Sequence, residues 1–391
     1  MFYYDFKGLK LSALGYGGMR LPVSDSKGRV VDENETARLI EHAYKSGVNY
    51  FDTAFFYHAG NSERVMGKVL SQFPRETWYL ADKMPGNFIE IVDGKIVMDI
   101  EFMGMKHTFN TAQEVFEHQL SNAGVDYFDF YMLHNVSEST YELYTDEKIG
   151  MVDYLLAEKK RGRIRHLGFS THGRYETIEK FLEKYDCFEF VMMQLNYLDW
   201  TLQEAGKKYG IITKHNIPVF VMEPVRGGKL ANLKGDELSA LTKQRPSDSA
   251  AKWAFRYLQS LPNVGVVISG MSNMEQVVEN IEIFDKSSPL STVEKEILKD
   301  LVGNMASFVP CTTCRYCCDA CPKELDIPLL IATYNEAVNE FGWYIGDIMG
   351  TLSDEEKPSA CIACSACSPK CPQDIDIPDV LSKFDTLLKS K

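Results

Sequence analysis

Short apolar runs recur along the first part of the chain, and each is followed by a segment whose apolar residues return with helical spacing. The runs predict eight strands: Leu11–Tyr16, Tyr50–Asp52, Trp78–Ala81, Phe128–Leu133, Ile164–Phe169, Phe188–Met193, Val219–Met222 and Val264–Ile268. Regular alternation of strands and helices is typical of parallel strands joined by helical crossovers. Eight such units within roughly 300 residues predict an α/β fold, a (β/α)8 TIM barrel. The alternative, an open doubly wound sheet, usually carries a GxGxxG turn after its first strand, and LGYGGMR lacks that spacing.

Polar residues mark where several of the predicted helices begin. Asp32 with Glu35, and Thr111 with Glu114, have the spacing of a capping box. Ser247 is predicted to begin another helix, because apolar residues follow it at helical spacing. These signals support the alternation of strands and helices.

The segment Pro85–Asn110 interrupts this alternation. It contains alternating polar and apolar residues on both sides of Asp93–Gly94, and an Asp-Gly pair between such runs predicts a β-hairpin. Loops that follow barrel strands face the active site, so the hairpin either covers that site or is peripheral.

The charge of the chain argues against one class of function. Among 391 residues, 42 Lys and Arg stand against 55 Asp and Glu, a formal net charge of −13, and no basic block occurs. Binding to nucleic acid through its phosphates is therefore not expected. No apolar stretch approaches the roughly 18 residues of a membrane span, and the first residues lack the pattern of a signal peptide. We expect a cytoplasmic protein with neither a membrane nor a nucleic-acid partner.

Nine of the ten cysteines lie between residues 311 and 371. Disulfide frameworks are typical of small secreted chains, whereas clustered cysteines in a cytosolic protein more often bind metal. The cysteine distribution therefore predicts two domains, a barrel over residues 1–300 and a small helical, thiolate-based domain over 301–391.

Two motifs of the form CxxCxxCxxxCP lie 50 residues apart, CTTCRYCCDACP and CIACSACSPKCP. This is the bacterial ferredoxin pattern, in which three cysteines of a motif bind one cluster and the fourth binds the other. It predicts two [4Fe-4S] clusters, one held by Cys311, Cys314, Cys317 and Cys371, the other by Cys361, Cys364, Cys367 and Cys321. Structural zinc is the alternative, but zinc sites do not need a third CxxC step followed by Cys-Pro. Cys187 and Cys318 are left as ordinary thiols.

Four residues at or just after predicted strand ends have the chemistry to reduce a carbonyl group: Asp52, Tyr57, Lys83 and His134. Hydride addition to a carbonyl leaves an alkoxide that needs a proton. A tyrosine can donate that proton when a neighbouring Lys⁺ lowers its pKa and a carboxylate holds the lysine. A histidine can donate a hydrogen bond that orients the carbonyl oxygen. Because the carboxyl ends of barrel strands converge on one face, residues distant in sequence can meet there.

The strings NYFDTAFFY, LADKM, VDYFDFYMLH, RGRIRHLGFS, FVMMQLNY and VVISGMSNMEQVVEN resemble, in this order, the aldo-keto reductase family. With the two cysteine motifs, the chain is similar to the branch of that family that carries a C-terminal ferredoxin-like domain with two [4Fe-4S] clusters. The resemblance implies a TIM barrel that binds a nicotinamide cofactor across its strand ends. It implies Tyr57 as the acid, Asp52 and Lys83 as its tuning partners, and His134 as the orienting group.

The resemblance also implies a set of cofactor-binding positions around the strand ends. They are Gly18, Met19, Asp52, Ser170, Gln194, Met222, Pro224, Arg226, Gly270, Ser272, Gln276, Glu279 and Asn280. Ser170 and Gln194 would bind the nicotinamide carboxamide, and the positions from Gly270 to Asn280 the adenosine half.

Four positions depart from the family pattern. Met222 stands where an aromatic residue is common, and Glu223 where a small polar residue often faces the pyrophosphate. A carboxylate at that place is expected to point away or to meet Arg226. Gly270 and Gln276 occupy positions that in many members carry cations for the 2′-phosphate. NADP(H) is favoured, because related branches bind it with a similar Gly/Gln pattern, and NAD(H) is kept as the alternative.

These features predict an NAD(P)H-dependent oxidoreductase that reduces a carbonyl, or oxidises the alcohol, of a small-molecule substrate. The iron–sulfur domain would have a structural or electron-transfer role, the latter with a redox protein as partner. The alternative is an electron-transfer or scaffold protein in which the barrel is mainly structural.

Overall fold

The computed structural model describes residues 1–25, 30–93, 95–102, 105–305, 309, 311, 315–339 and 342–391. These residues form two compact units, one of Met1–Tyr197 with Gly206–Lys295, the other of Leu198–Ala205 with Glu296–Lys391. None of the helices in the described residues is long and apolar enough to cross a membrane.

The strands, in chain order, are β1 (Tyr3–Phe6), β2 (Leu9–Ser12), β3 (Leu14–Gly17), β4 (Tyr50–Asp52), β5 (Tyr79–Met84), β6 (Glu90–Val92), β7 (Lys95–Phe102), β8 (Met105–Phe109), β9 (Phe128–Leu133), β10 (Ile164–Thr171), β11 (Val191–Gln194), β12 (Val219–Met222) and β13 (Val264–Ser269). The helices are α1 (Glu33–Lys45), α2 (Asn61–Leu70), α3 (Ala112–Ala123), α4 (Tyr141–Thr145), α5 (Met151–Lys160), α6 (Tyr175–Lys184), α7 (Asp199–Leu202), α8 (Ala205–Lys214), α9 (Gly235–Gln244), α10 (Ala250–Gln259), α11 (Met274–Ile283), α12 (Thr292–Met305), α13 (Ile327–Asn339), α14 (Trp343–Gly350) and α15 (Ile377–Lys389).

The first unit is a closed barrel of parallel strands in the order β3, β4, β5, β9, β10, β11, β12 and β13, with β13 pairing back onto β3. The predicted TIM barrel is therefore confirmed, and each predicted strand contributes to it. The predicted strand Leu11–Tyr16 is divided between β2 and β3, because Ser12 ends the pairing of β2 with β1 and its hydroxyl donates to the carbonyl of Leu14 (2.7 Å).

An antiparallel hairpin of β1 and β2 precedes the barrel and was not predicted. Its Phe6 is buried and packs on ring side chains inside the barrel, with centroid distances of 5.4 Å to Phe130 and 5.8 Å to Phe220. The hairpin therefore closes part of the barrel interior with an aromatic plug.

Two of the three predicted helix starts are confirmed. The Asp32 carboxylate accepts the Glu35 amide (3.0 Å) at the start of α1, and the Thr111 hydroxyl accepts the Glu114 amide (3.1 Å) at the start of α3. The predicted start at Ser247 is wrong. The cap of α10 is Ser249, two residues after Ser247. Its hydroxyl accepts the Lys252 amide (3.0 Å).

The insertion after β5 folds as predicted into a hairpin and adds one more strand. Val92 pairs with Lys95 across the predicted two-residue turn, of which Gly94 lies outside the described residues. Strand β8 pairs with β7 to complete a three-stranded antiparallel sheet. Met98 of β7 is fully buried, so the sheet packs against the barrel unit on one face.

The second unit is built on an internal repeat with a period of 50 residues. Asp326 and Asp376 cap α13 and α15, accepting the amides of Leu329 (3.2 Å) and Asp379 (3.3 Å). Equivalent apolar residues of the two halves share one buried core: Leu325 and Ile375, Ile327 and Ile377, Leu330 and Val380, Ile331 and Leu381. The two halves of the repeat therefore pack together through the same positions.

Candidate active site and cysteine cavity

A buried ion pair joins the ends of two adjacent barrel strands. Asp52 is the last residue of β4, and Lys83 lies near the end of β5. The Lys83 ammonium donates to the Asp52 carboxylate (2.7 Å) and to the Thr53 carbonyl (2.6 Å). Lys83 and Asp52 are 1% and 3% exposed, so the pair is shielded from water.

Tyr57 lies beside this pair, in the loop between β4 and α2. Its ring centroid is 4.9 Å from the Lys83 ammonium nitrogen. The loop turns sharply after Tyr57, because His58 and Ala59 have φ of 51° and 55°, a left-handed conformation that side chains rarely adopt. Gly60 continues the turn at φ 80°, where a glycine is not strained.

Electrostatics leave Lys83 charged and Tyr57 neutral. Burial acts against the ammonium form, but the Asp52 carboxylate and the Tyr57 phenol outweigh it and raise the pKa of Lys83. Burial raises the pKa of Tyr57, while the Lys83 charge pulls that pKa back toward its ordinary value. Tyr57 is therefore a phenol whose proton is partly labilised by its neighbour.

His134 follows β9 on the same face of the barrel. Its amide donates to the Met84 carbonyl (3.0 Å), and its ring stacks on Phe56 at a centroid distance of 5.0 Å. The ring lies 6.3 Å from that of Tyr57. Burial, reinforced by the Lys83 charge, holds the pKa of His134 well below its usual range, so the imidazole is neutral. Its Nδ1 is buried and has no hydrogen-bond partner among the described residues.

The positions expected to bind the cofactor all belong to strand ends or the segments that follow them. Gly18 and Met19 form a 3-10 turn after β3. Ser170 and Gln194 lie near the ends of β10 and β11, Met222 ends β12, and the remaining positions follow: Pro224, Arg226, Gly270, Ser272, Gln276, Glu279 and Asn280. The Ser170 hydroxyl accepts the Asn135 amide (2.9 Å), and the Asn280 side chain donates to the Ser269 hydroxyl (3.0 Å).

The Glu223 carboxylate was expected to point away or to meet Arg226. It instead accepts from the Arg20 guanidinium (3.3 Å) and from the Gly227 amide (2.5 Å), while the Arg226 amide donates to the Glu223 backbone carbonyl (3.1 Å). Arg20 in turn packs along Gly270, where a Cβ would lie 3.1 Å from its side chain. No spacing in the sequence indicates this ion pair, because its partners follow strands β3 and β12, which barrel closure brings to the two sides of β13.

The insertion contacts the loop that carries Tyr57. Phe88 packs on Phe56 at a centroid distance of 5.2 Å, and Phe109 of β8 lies 6.1 Å from Phe55. Of the two alternatives, a covering or a peripheral hairpin, these contacts favour the first, which stays a prediction.

In the second unit, four cysteines from both halves of the repeat line one cavity: Cys321, Cys361, Cys364 and Cys367. This is the set expected to hold the second cluster, and Cys321 is the member that comes from the other motif. Burial raises the pKa of the Cys367 thiol, and the thiols of Cys321 and Cys361 beside it add to the effect.

The other expected set is only partly described. Cys317 is buried with Cys311 and Cys318 near it, and burial raises its pKa to about 12. Cys371 is partly buried against the core of the unit, and Cys314 lies outside the described residues. Cys318 packs on the same core, and burial raises the pKa of Cys187, in the barrel unit, to about 11.

The chemistry of the donors in the cysteine cavity fits a [4Fe-4S] cluster. Its four thiols match in number the thiolates that hold a cubane, and three come from one motif and the fourth from the other.

Comparison with known proteins agrees with both halves of the chain. Residues 13–302 match the Aldo/keto reductase family, and residues 310–376 match the 4Fe-4S dicluster domain. The chain is 26% identical to "Uncharacterized oxidoreductase YqkF" of Bacillus subtilis over 295 residues, covering 70% of this chain and 87% of the relative. It is 22% identical to "L-galactose dehydrogenase" of Arabidopsis thaliana over 311 residues, covering 75% and 90%.

Solved structures show the same barrel. The holo form of aldo-keto reductase AKR11C1 from Bacillus halodurans superposes with a TM-score of 0.60 at 26% identity, covering 76% of this chain and 95% of that one. An aldo-keto reductase from Klebsiella pneumoniae in complex with NADPH gives a TM-score of 0.58 at 17% identity, covering 77% and 95%, which shows the fold alone. The chain belongs to the aldo/keto reductase family of oxidoreductases and carries, after its barrel, a 4Fe-4S dicluster domain.

Proposed function

We propose that the protein is an NAD(P)H-dependent oxidoreductase that interconverts a carbonyl and an alcohol on a small-molecule substrate. The observation that carries the proposal is the buried Lys83–Asp52 ion pair beneath the Tyr57 ring, with a neutral His134 beside it. These are the groups that carbonyl reduction needs at a barrel mouth.

Each residue has a separate task in the proposed reaction. When bound, the nicotinamide supplies or accepts the hydride. Tyr57 donates its phenolic proton to the carbonyl oxygen as negative charge develops there, and Lys83 stabilises the phenolate that remains. Asp52 keeps Lys83 charged and in place. His134, being neutral, donates one hydrogen bond to the same oxygen without adding a charge.

The residues present fit a dinucleotide at the strand ends. The pairing of Glu223 with Arg20 and the Gly227 amide neutralises a carboxylate that would otherwise repel a pyrophosphate. We assign nicotinamide contacts to Ser170 and Gln194, and the remaining cofactor contacts to Gly18, Met19, Asp52, Met222, Pro224, Arg226, Gly270, Ser272, Gln276, Glu279 and Asn280. NADP(H) is the favoured cofactor and NAD(H) the alternative.

We further propose two [4Fe-4S] clusters in a domain of residues 301–391, which follows a barrel domain of residues 1–300 in the sequence. Cys321, Cys361, Cys364 and Cys367 hold one cluster, supported by their shared cavity, and Cys311, Cys314, Cys317 and Cys371 hold the other. Cubanes of this type carry single electrons. Their role is structural or electron transfer to a redox protein, and reduced thiolates fit a cytoplasmic location.

The test is a screen of aldehydes and ketones for NADPH or NADH oxidation by anaerobically purified protein. Tyr57→Phe should lower kcat by about 10²–10⁴, because the acid is lost, while cofactor binding followed by fluorescence is retained. Tyr154→Phe is the matched control, since the buried Tyr154 hydroxyl has no hydrogen-bond partner among the described residues. A wild-type rate in Tyr57→Phe would overturn the assignment of Tyr57 as the acid. No NADPH or NADH oxidation with any carbonyl would favour the alternative of a mainly structural barrel.

A further inference from the structure

Two carboxyl groups lie behind Lys83, on the outer side of β5. Asp82 and Lys83 are consecutive in β5, so their side chains leave the strand on opposite faces. Lys83 points toward Asp52, and Asp82 points toward α2. Glu63 of α2 reaches the same place, and its carboxyl group is within hydrogen-bonding reach of the Asp82 carboxyl. Neither residue has any exposed surface.

These carboxyl groups belong to a network that holds the backbone of Lys83. Asp82 accepts the Lys83 amide (2.8 Å), and the Gln119 side chain donates to the Lys83 carbonyl (3.0 Å). Gln119 also donates to Glu63 (3.1 Å), and its oxygen accepts the Tyr131 hydroxyl (2.5 Å). Both polar backbone groups of Lys83 are therefore fixed from the side of the strand away from the substrate.

The donors around the pair do not suffice for two negative charges. Glu63 receives side-chain amides from Asn122 (2.7 Å) and Gln119, but Asp82 Oδ2 is buried and receives no hydrogen bond from a donor of the described residues. The nearby cation, Lys83, is already paired with Asp52. Two carboxylates in contact without a cation between them cannot both stay ionised in a dry site.

The titratable groups that face the pair from its neighbouring elements are Lys83 of β5 and Tyr131 of β9. Burial raises the pKa of Tyr131 well above its usual value, and the carboxyl pair adds to the shift, so Tyr131 contributes no charge. Burial likewise raises the pKa of Glu63 and of Asp82, and in Asp82 the adjacent Glu63 adds to the rise. A proton between the two carboxyl groups satisfies the orphaned oxygen and removes one charge.

We propose that Glu63 and Asp82 share one proton at neutral pH and, as a singly charged pair, act as positioning residues for Lys83. The pair fixes the Lys83 backbone and sets the field in which the Lys83 ammonium acts on Tyr57. The inference rests on the proposed function only in this last step.

Infrared spectroscopy of the intact protein tests the shared proton without any substrate. The wild type should show, at neutral pH, the carbonyl stretch of a buried protonated carboxyl group, shifted in D2O. Glu63→Gln and Asp82→Asn should each remove it, because an amide then donates the hydrogen bond to the remaining carboxylate. Glu158→Gln is the control, since Glu158 is equally buried but paired with Arg161 (2.7 Å) and Arg163 (2.5 Å). A band that persists in either Glu63→Gln or Asp82→Asn, or that is absent from the wild type, overturns the shared proton.

The pH profile of kcat tests the positioning role. Each single variant keeps one carboxylate, so its pair carries the same single negative charge. The alkaline limb of the kcat profile should therefore lie at the same pH in Glu63→Gln and in Asp82→Asn. The double variant loses that charge, and its limb should move about one unit to lower pH, since a negative charge near Tyr57 raises its pKa. The KM for the cofactor should not change. An unmoved limb in the double variant would refute the positioning role. Failure to find any reducible carbonyl would count against the proposed function, while the infrared result would still decide the shared proton.

Discussion

At the scale of single residues, the buried Asp52–Lys83 pair carries a large desolvation cost. Both groups leave water, and the attraction between them offsets that desolvation only while both are present. Such a pair adds little net stability, but removing one partner leaves the other as an unpaired buried charge. Its retention at the proposed active site is therefore better explained by chemistry than by folding.

Asp52→Asn should lower the free energy of unfolding by about 3–5 kcal/mol, because the Lys83 ammonium then lies buried without its counterion. Urea unfolding at neutral pH measures the loss. The control is Glu41→Gln, which breaks the exposed pair of Glu41 with Lys45 (3.0 Å) and should change stability by less than about 0.5 kcal/mol. Equal, small losses in both variants would contradict a dry ion pair.

His134 should leave no acid limb in kcat/KM near pH 6.5, because burial keeps it neutral in the folded protein. The same burial makes the folded protein less stable at acid pH. Below the unfolded pKa of about 6.5 the unfolded chain binds a proton that the folded one does not, so the free energy of unfolding falls by up to 1.4 kcal/mol per pH unit. His134→Gln should flatten that slope. An acid limb near pH 6.5 that vanishes in His134→Gln would show a charged imidazole.

What the sequence reveals about single residues depends on where their partners lie. Asp52, Lys83 and His134 follow predicted strands, and parallel strands of a barrel bring their ends together whatever the side chains are. Glu63 and Asp82 form a pair only because α2 packs over the outer face of β5. That packing depends on helix placement, which no spacing in the sequence encodes, and the same holds for Arg20 with Glu223.

At the scale of elements, α2 and α3 meet through a glycine. A Cβ on Gly67 would lie 1.8 Å from the carbonyl oxygen of Ala123, the last residue of α3. Only a residue without a side chain allows this approach. The contact fixes α2, which begins four residues after Tyr57, and so supports the loop that carries the proposed acid.

Gly67→Ala should therefore destabilise the barrel by about 1–3 kcal/mol or more, since the helices must separate. Gly210→Ala is the matched control, because Gly210 lies in α8 with nothing within 4 Å of the added carbon. There alanine should stabilise by roughly 0.5–1 kcal/mol, the usual difference within a helix. Thermal unfolding followed by circular dichroism compares them, and equal shifts would refute the close helix contact.

Elements were predictable where one periodicity ran long enough. The strands buried on both faces appear as apolar runs, and Asp32 and Thr111 cap as their spacing predicts. The β1–β2 hairpin was missed because its four-residue strands are too short for a clear alternation. The feature of the sequence that indicates this hairpin is its turn at Lys7–Gly8, where φ is 51° and 87°.

At the scale of the whole molecule, the proposed crossed ligation makes the second unit depend on its metal. The core that this unit shares between α13 and α15 is small, so cluster bonds should supply much of its folding free energy. The barrel has its own closed core and should not share this dependence.

The anaerobically purified protein should contain about eight irons and eight labile sulfides. Cys371→Ser should damage the cluster of Cys311, Cys314 and Cys317 and expose the second unit to proteolysis, while the barrel resists. Cys318→Ser is the control, because Cys318 belongs to neither ligand set. Iron counting, electron paramagnetic resonance after reduction and limited proteolysis measure the outcome. Selective loss of the cluster of Cys361, Cys364 and Cys367 would show uncrossed ligation.

The 50-residue repeat has a consequence for how such a domain can arise. Arg315 and Ser365 have φ of 64° and 59°, and Glu324 and Asp374 have φ of 53° and 52°, so the backbones of the two halves match turn by turn. Because each proposed ligand set takes its fourth cysteine from the other half, one half alone could complete neither cluster. Two identical copies could complete both as a symmetric dimer. Duplication and fusion of such a half would then have turned an intermolecular assembly into a single chain without altering a ligand.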